Sequence, residues 1–185
     1  SLSGLLARQV ESSLSGRVHW RALLAQHLSD RARENYRWTR PSTRRGDPAV
    51  FPGLRRDIVD VALALDVSGS MGETQLKEAM AEINAIKDQL RARVSLFACD
   101  AALIDGYPRT FEPWEPLLSE PRVRGGGNTD FRPVFDCIDS GDQHPDVLVW
   151  FTDARGRMPA REPDYPVIWL VKGSAPVPWG LRVQY

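Results

Sequence analysis

The chain has 185 residues, 42% of them hydrophobic and 26% charged, and its formal charges cancel to +0 at pH 7. That length holds one full core with some structure attached, and the charge balance excludes a globally basic nucleic-acid binder or a protein drawn to anionic membranes. No apolar run reaches bilayer-spanning length, and the first residues lack the charged-then-apolar layout of a signal peptide.

Residues 2–34 carry apolar positions at helical spacing, from Leu5, Leu6, Val10 and Leu14 to Trp20, Leu23, Leu24 and Leu28. Ser15-Gly16 divides them into two helices. The Ser1-Leu2-Ser3 start already lies inside the helical pattern, which reads as part of a longer chain. From Asn35 to Asp57 runs a Pro- and Arg-rich connection with Tyr36, Trp38, Phe51 and Leu54 as apolar anchors. Residues 1–56 are therefore expected to pack on, or lead into, a domain spanning 57–185.

At Ile58 the period changes. IVDVALALD ends in an unbroken apolar run, as a strand buried on both faces requires. An amphipathic helix follows over 73–91, with Leu76, Met80, Ile83, Ile86 and Leu90 on one stripe. Next come VSLFACD (94–100), a hairpin-like pair around Asp105-Gly106 and the loop RGGGNTDF. A short helix over 131–139 precedes DVLVWFTD (146–153), PVIWLVKG (166–173) and a last short strand, LRVQY. Helices between apolar strands predict an α/β fold: a Rossmann-like, mainly parallel sheet with helices on both faces and an antiparallel edge strand. Cys99 and Cys137 each sit in an apolar segment with no partner at metal spacing, so both are expected as buried free thiols in a cytoplasmic protein.

In open α/β sheets, function collects beyond the carboxyl ends of the strands, where strand order reverses. Three polar clusters fall at such ends. Asp66, Ser68 and Ser70 follow the first buried strand, Asn128, Thr129 and Asp130 follow Gly125–Gly127, and Asp153 closes VLVWFT. All three share one rim if the first strand is central and the 147–152 strand lies beside it. Their donors are oxygens alone, which suits hard cations such as Mg²⁺.

Blander readings stand beside this one. Ser70 with Glu73 fits a capping box, Thr129 or Asp130 fits the N-cap of the 131–139 helix, and Asp153 fits a turn. Three unrelated turns would then have to place hydroxyls and carboxylates on one rim by coincidence. Enzyme readings fare worse. A serine hydrolase needs a histidine after its acid, yet His19, His27 and His144 all precede Asp153. A haloacid-dehalogenase-type phosphohydrolase using Asp66 needs a second Asp two residues on, where Ser68 stands. P-loop and H-E-x-x-H motifs are missing.

The pattern Asp66-x-Ser68-x-Ser70, then Thr129, then Asp153 resembles the metal-ion-dependent adhesion site of von Willebrand factor A (VWA) domains, in residue type and order over about residues 57–185. VHWRALLAQHL, YRWTRPSTRR and VFPGLRRD are similar to the segment preceding this domain in a bacterial VWA-like group whose longer members carry an upstream metallopeptidase-like region. The resemblance implies a non-enzymatic protein-binding module with Mg²⁺ or Mn²⁺ held by Asp66, Ser68, Ser70, Thr129 and Asp153. Asp130 stands as a further carboxylate beside that set. It also implies a protein partner whose Asp or Glu completes the metal's shell, with a MoxR-type AAA+ ATPase as a candidate and neither nucleic acid nor membrane as a ligand. The alternatives are a Mg²⁺-dependent phosphohydrolase or a structural module without metal. One departure is visible: Ala154 follows Asp153 where many VWA domains have glycine.

Overall fold

In the computed structural model of the protein, which describes residues 22–23, 25–27, 29–30, 58–69, 71–117, 128–142 and 144–184, the apolar run from the first buried segment forms strand β1, Val59–Asp66. The first N-terminal helix, the Arg/Pro-rich connection, Ser70, Gly125–Gly127 and the side chains of Ile86 and Leu90 lie outside the described residues. The described positions between 22 and 30 are helical.

Helix α1, Glu73–Leu90, follows β1 and returns the chain to β2, Ala92–Cys99, which pairs parallel to β1 in the register Val61↔Val94 and Asp66↔Cys99. Arg91, at φ 50, ends α1 in the left-handed cap conformation. β3, Arg109–Phe111, then pairs antiparallel with β2 through Val94↔Phe111. The Asp105-Gly106 region is therefore a turn leading to an edge strand of β2, rather than a hairpin of its own. Its first half contributes only the Cys99↔Leu103 bridge.

Beyond it lie β4 (Thr129–Asp130), α2 (Arg132–Asp139), β5 (Val147–Thr152), β6 (Gly156–Arg157), β7 (Val167–Val171) and β8 (Leu181–Gln184). The main sheet has the order β3-β2-β1-β5-β7-β8, and β4 pairs with β6 in a second, two-stranded sheet. All pairings in the six-stranded sheet are parallel except that of β3. The expected α/β architecture with an antiparallel edge is what forms.

Alternation along β1 feeds two cores. Val61, Leu63 and Leu65 face Leu76, Met80 and Ile83 of α1. Ala62 and Ala64 face the opposite layer, with Val134, Phe135 and Ile138 of α2 and the tryptophans of β5 and β7. There Trp150 and Trp169 stack at 5.9 Å between centroids, and Phe131 meets Trp150 edge-on at 4.9 Å. Helices on both faces follow from a central strand with no polar side.

One buried charge fixes the far end of α1. Lys87 is 1% exposed, and its Nζ donates to the carbonyl oxygens of Pro113, at 3.2 Å, and of Glu115. The lysine thus ties the segment after β3 to the helix.

Candidate functional site

Strand order reverses between β1 and β5: from β1 the chain moves outward to β2 and β3, and from β5 it moves the other way to β7 and β8. The carboxyl ends of these two strands form the crevice where α/β sheets place ligands. Asp66 ends β1 and Thr152 ends β5 at that point.

Asp66 is fully buried. Its Oδ1 accepts the Ser68 backbone N–H at 3.0 Å and the Thr129 hydroxyl at 3.3 Å, while Oδ2 accepts the Thr152 hydroxyl at 2.6 Å. After Asp66 the chain is held by Val67 N–H donating to Cys99 O at 3.0 Å and by Met71 N–H donating to Ser68 O at 3.0 Å. The side chains of Val67 and Met71 are buried beneath the loop, so Ser68 is presented from a fixed backbone. Helix α1 begins one turn later, capped at Gly72, whose N–H donates to Gln75 Oε1 at 2.6 Å. The box that forms at this helix start is that of Gly72 and Gln75; Ser70, on which the expected Ser70–Glu73 box turns, lies outside the described residues.

Thr129 reaches Asp66 through the small sheet. β4 pairs parallel with β6 in the register Thr129↔Gly156, and Phe131 N–H donates to Arg157 O at 3.0 Å. A Cβ at Gly156 would stand 2.3 Å from Thr129 O, so only glycine permits this approach. Asp130 N–H donates to Asp100 O at 2.8 Å, tying the same segment to the end of β2. Neither Thr129 nor Asp130 is the N-cap of α2. That position belongs to Phe131, which makes no side-chain cap of its own. The Asp130 carboxylate nevertheless accepts the backbone N–H of Arg132, the first residue of α2, at 3.1 Å and pairs with the Arg132 guanidinium (Oδ2 to Nη2, 2.6 Å), which holds its pKa below the usual range.

Asp153 is 9% exposed, and its Oδ1 accepts Arg155 N–H at 2.9 Å, so it shapes a turn as well as lining the rim. Ala154 has φ 59. The residue following Asp153 is thus in the left-handed region that favours glycine, which gives a physical reason for glycine at this place in many VWA domains.

Burial pushes the Asp66 carboxyl above its ordinary pKa, hydrogen bonds from Ser68 and Thr152 oppose the shift, and the nearby charge of Asp153 adds to it. The same surroundings raise the Cys99 thiol to about 12, through burial first and then the charges of Asp100, Asp66 and Asp130. Among the described residues the hydrogen-bond partners of Asp66 are neutral. A buried carboxylate with neutral donors, beside a second carboxylate, is a place where a cation is electrostatically favoured. No three His, Cys, Asp or Glu side chains gather as a metal group among the described residues. An ion here would draw on hydroxyls and water alongside two carboxylates, a donor set that fits Mg²⁺.

Asp66, Ser68, Thr129 and the Asp153 turn are thus placed on one rim, and Ser70 lies outside the described residues. Two contributors escaped the sequence reading. Thr152 left a signal, a lone hydroxyl closing an apolar strand; Gly156 left none, because its need arises from a pairing between segments distant in sequence.

Sheet order and rim define an α/β domain with carboxylate and hydroxyl side chains gathered at its switch point. The chain belongs to the VWA-like domain family (DUF2201), which it matches over residues 61–185. Domains of the VWA-like class commonly mediate protein–protein interactions. No curated protein matches the chain. Among the described residues no helix is long and apolar enough to cross a membrane.

Proposed function

We propose that the protein is a non-enzymatic, Mg²⁺-dependent protein-binding module that captures a partner's Asp or Glu at the Asp66 rim. The observation that carries this reading is the Asp66 carboxylate, fully buried, hydrogen-bonded by neutral donors among the described residues, and set beside Asp153 at the switch point. Asp66, Ser68, Ser70 and Thr129 would hold the ion, with Asp153 direct or through water. Bound there, the ion supplies positive charge and an open coordination position for a carboxylate from outside. Asp66 would be the anchoring anion, since its carboxylate is held by the backbone N–H and side chain of Ser68 and by the Thr129 and Thr152 hydroxyls. Thr129 would be the exchangeable member, because its hydroxyl approaches Asp66 at a long 3.3 Å from a two-residue strand outside the main sheet.

Mn²⁺ titration followed by electron paramagnetic resonance tests the ion site. Wild-type protein should bind one equivalent, and Asp66→Ala should lose it while keeping its far-UV circular dichroism. Equal Mn²⁺ binding by the two proteins would sink the proposal. The MoxR-type AAA+ ATPase implied by the resemblance is the first partner to assay, with and without EDTA.

A further inference from the structure

We propose that Thr152 is a positioning residue which couples the two carboxylates of the rim; this rests on the metal-binding reading above. Its hydroxyl makes two hydrogen bonds in opposite senses. It donates to Asp66 Oδ2 at 2.6 Å, a short hydrogen bond, and it accepts the N–H of Ala154 at 2.9 Å. Asp66 and Thr152 are each fully buried, so water does not compete for either bond.

The Ala154 bond matters because of what it holds. Asp153 sits between Thr152 and Ala154, and Ala154 adopts φ 59, a conformation that a residue with a Cβ resists. Thr152 Oγ1 therefore fastens the turn that presents Asp153 while its proton fixes the rotation of Asp66. The proton is committed to Asp66, so the hydroxyl is a support for the rim and not a member of the ligand set. One oxygen atom sets the distance and angle between a carboxylate on β1 and one on the loop after β5.

The arrangement also orients Asp66. With Oδ2 engaged by Thr152, Oδ1 is the oxygen that accepts the Ser68 backbone N–H and the Thr129 hydroxyl. Loss of the Thr152 hydroxyl removes the bond that orients Oδ2 and leaves Ala154 N–H without that acceptor. Supporting hydrogen bonds of this kind typically change metal affinity by about 10–100-fold.

Thr152→Val removes the hydroxyl at nearly constant volume, Thr152→Ala does so with a smaller side chain, and Thr152→Ser restores it. Mn²⁺ affinity is read by paramagnetic resonance on the full chain, and thermal midpoints are taken with EDTA and with saturating Mn²⁺. The expected result is at least about 10-fold weaker Mn²⁺ binding in the Val or Ala variant, with Ser returning to within a few-fold of wild type. The Mn²⁺-induced rise in midpoint should shrink in Val and Ala at matched Mn²⁺ and recover in Ser. A purely structural role predicts otherwise: equal losses of stability with EDTA and Mn²⁺, and unchanged affinity in the folded variants. That outcome overturns the proposal, as does failure of both Val and Ala variants to fold. Wild-type protein that binds no Mn²⁺ overturns the metal reading and this coupling with it, whereas wild-type binding with unaltered variants overturns the coupling alone.

Discussion

The Thr129 hydroxyl donates to Asp66 Oδ1 at 3.3 Å across 63 residues of sequence, and Thr152 donates to the other oxygen of the same carboxylate at 2.6 Å. The two oxygens are thus held unequally. Thr152 belongs to the strand next to β1 and cannot move without the sheet, while Thr129 belongs to a two-residue strand outside it. Thr129→Ala should cost only about 1 kcal/mol of stability, the usual net worth of one hydrogen bond. It should weaken Mn²⁺ and partner binding far more than that cost alone implies. Urea denaturation beside a Mn²⁺ titration checks this, and parallel losses in both would remove the special role of Thr129.

Gly156→Ala tests the small sheet that carries Thr129. The added Cβ would meet Thr129 O at 2.3 Å and the Phe131 ring at 2.8 Å, contacts that only backbone movement relieves. Overpacking of this kind costs about 1–3 kcal/mol. Because the displaced atom belongs to the backbone of a candidate ligand, Mn²⁺ affinity should fall although residue 156 carries no ligand atom. A variant that loses stability but binds Mn²⁺ normally would show that β4 need not be held so closely.

What the sequence revealed and what it hid divide along physical lines. The apolar run of β1 and the amphipathic stripe of α1 are local patterns, and both were legible because burial on one or two faces dictates composition directly. The rim was legible for a similar reason: polar residues closing apolar strands are costly unless something uses them. The β3 pairing was read as a local hairpin, because residues 102–114 contain turn signals but nothing that names β2 as the partner strand. The capping alternatives divide: Gly72 and Phe131 hold the N-cap positions, Asp130 still accepts the first N–H of α2, and Ser70 lies outside the described residues. Cys137, expected as buried, is only half-buried at the edge of α2. Lys87 was invisible as a structural residue, because a lysine on a helix normally reads as solvated surface.

Lys87 yields a prediction of its own. With its ammonium buried against the carbonyls of Pro113 and Glu115, replacement by Met keeps much of the volume but leaves two acceptors without their donor. Lys87→Met should destabilise the fold by about 1–3 kcal/mol. The loss should come without change in Mn²⁺ affinity, because Lys87 is near the end of α1 remote from the Asp66 loop. Chemical denaturation with a matched Mn²⁺ titration separates the two. A gain in stability would mean that the buried charge costs more than its hydrogen bonds return.

Cys99 offers a pH-dependent test of the electrostatics beneath the rim. Its thiol is fully buried, donates to Asp130 O at 3.1 Å, and is raised from an ordinary 9.0 to about 12. An acid whose folded pKa lies above its unfolded value keeps its proton in the native protein while the unfolded chain releases it. The native state then binds more protons, so stability falls as pH rises through 9 and levels off near 12. Cys99 should contribute a slope of up to about 1.4 kcal/mol per pH unit within that window. Cys99→Ala should remove that contribution, and subtracting the two pH profiles cancels other titrations common to both proteins. The same burial predicts that, in native protein at pH 8, a thiol reagent modifies the half-buried Cys137 and spares Cys99 until urea is added. Rapid native modification of both thiols, or identical alkaline stability profiles, would show that the rim is more open to solvent than the Asp66 hydrogen bonds imply.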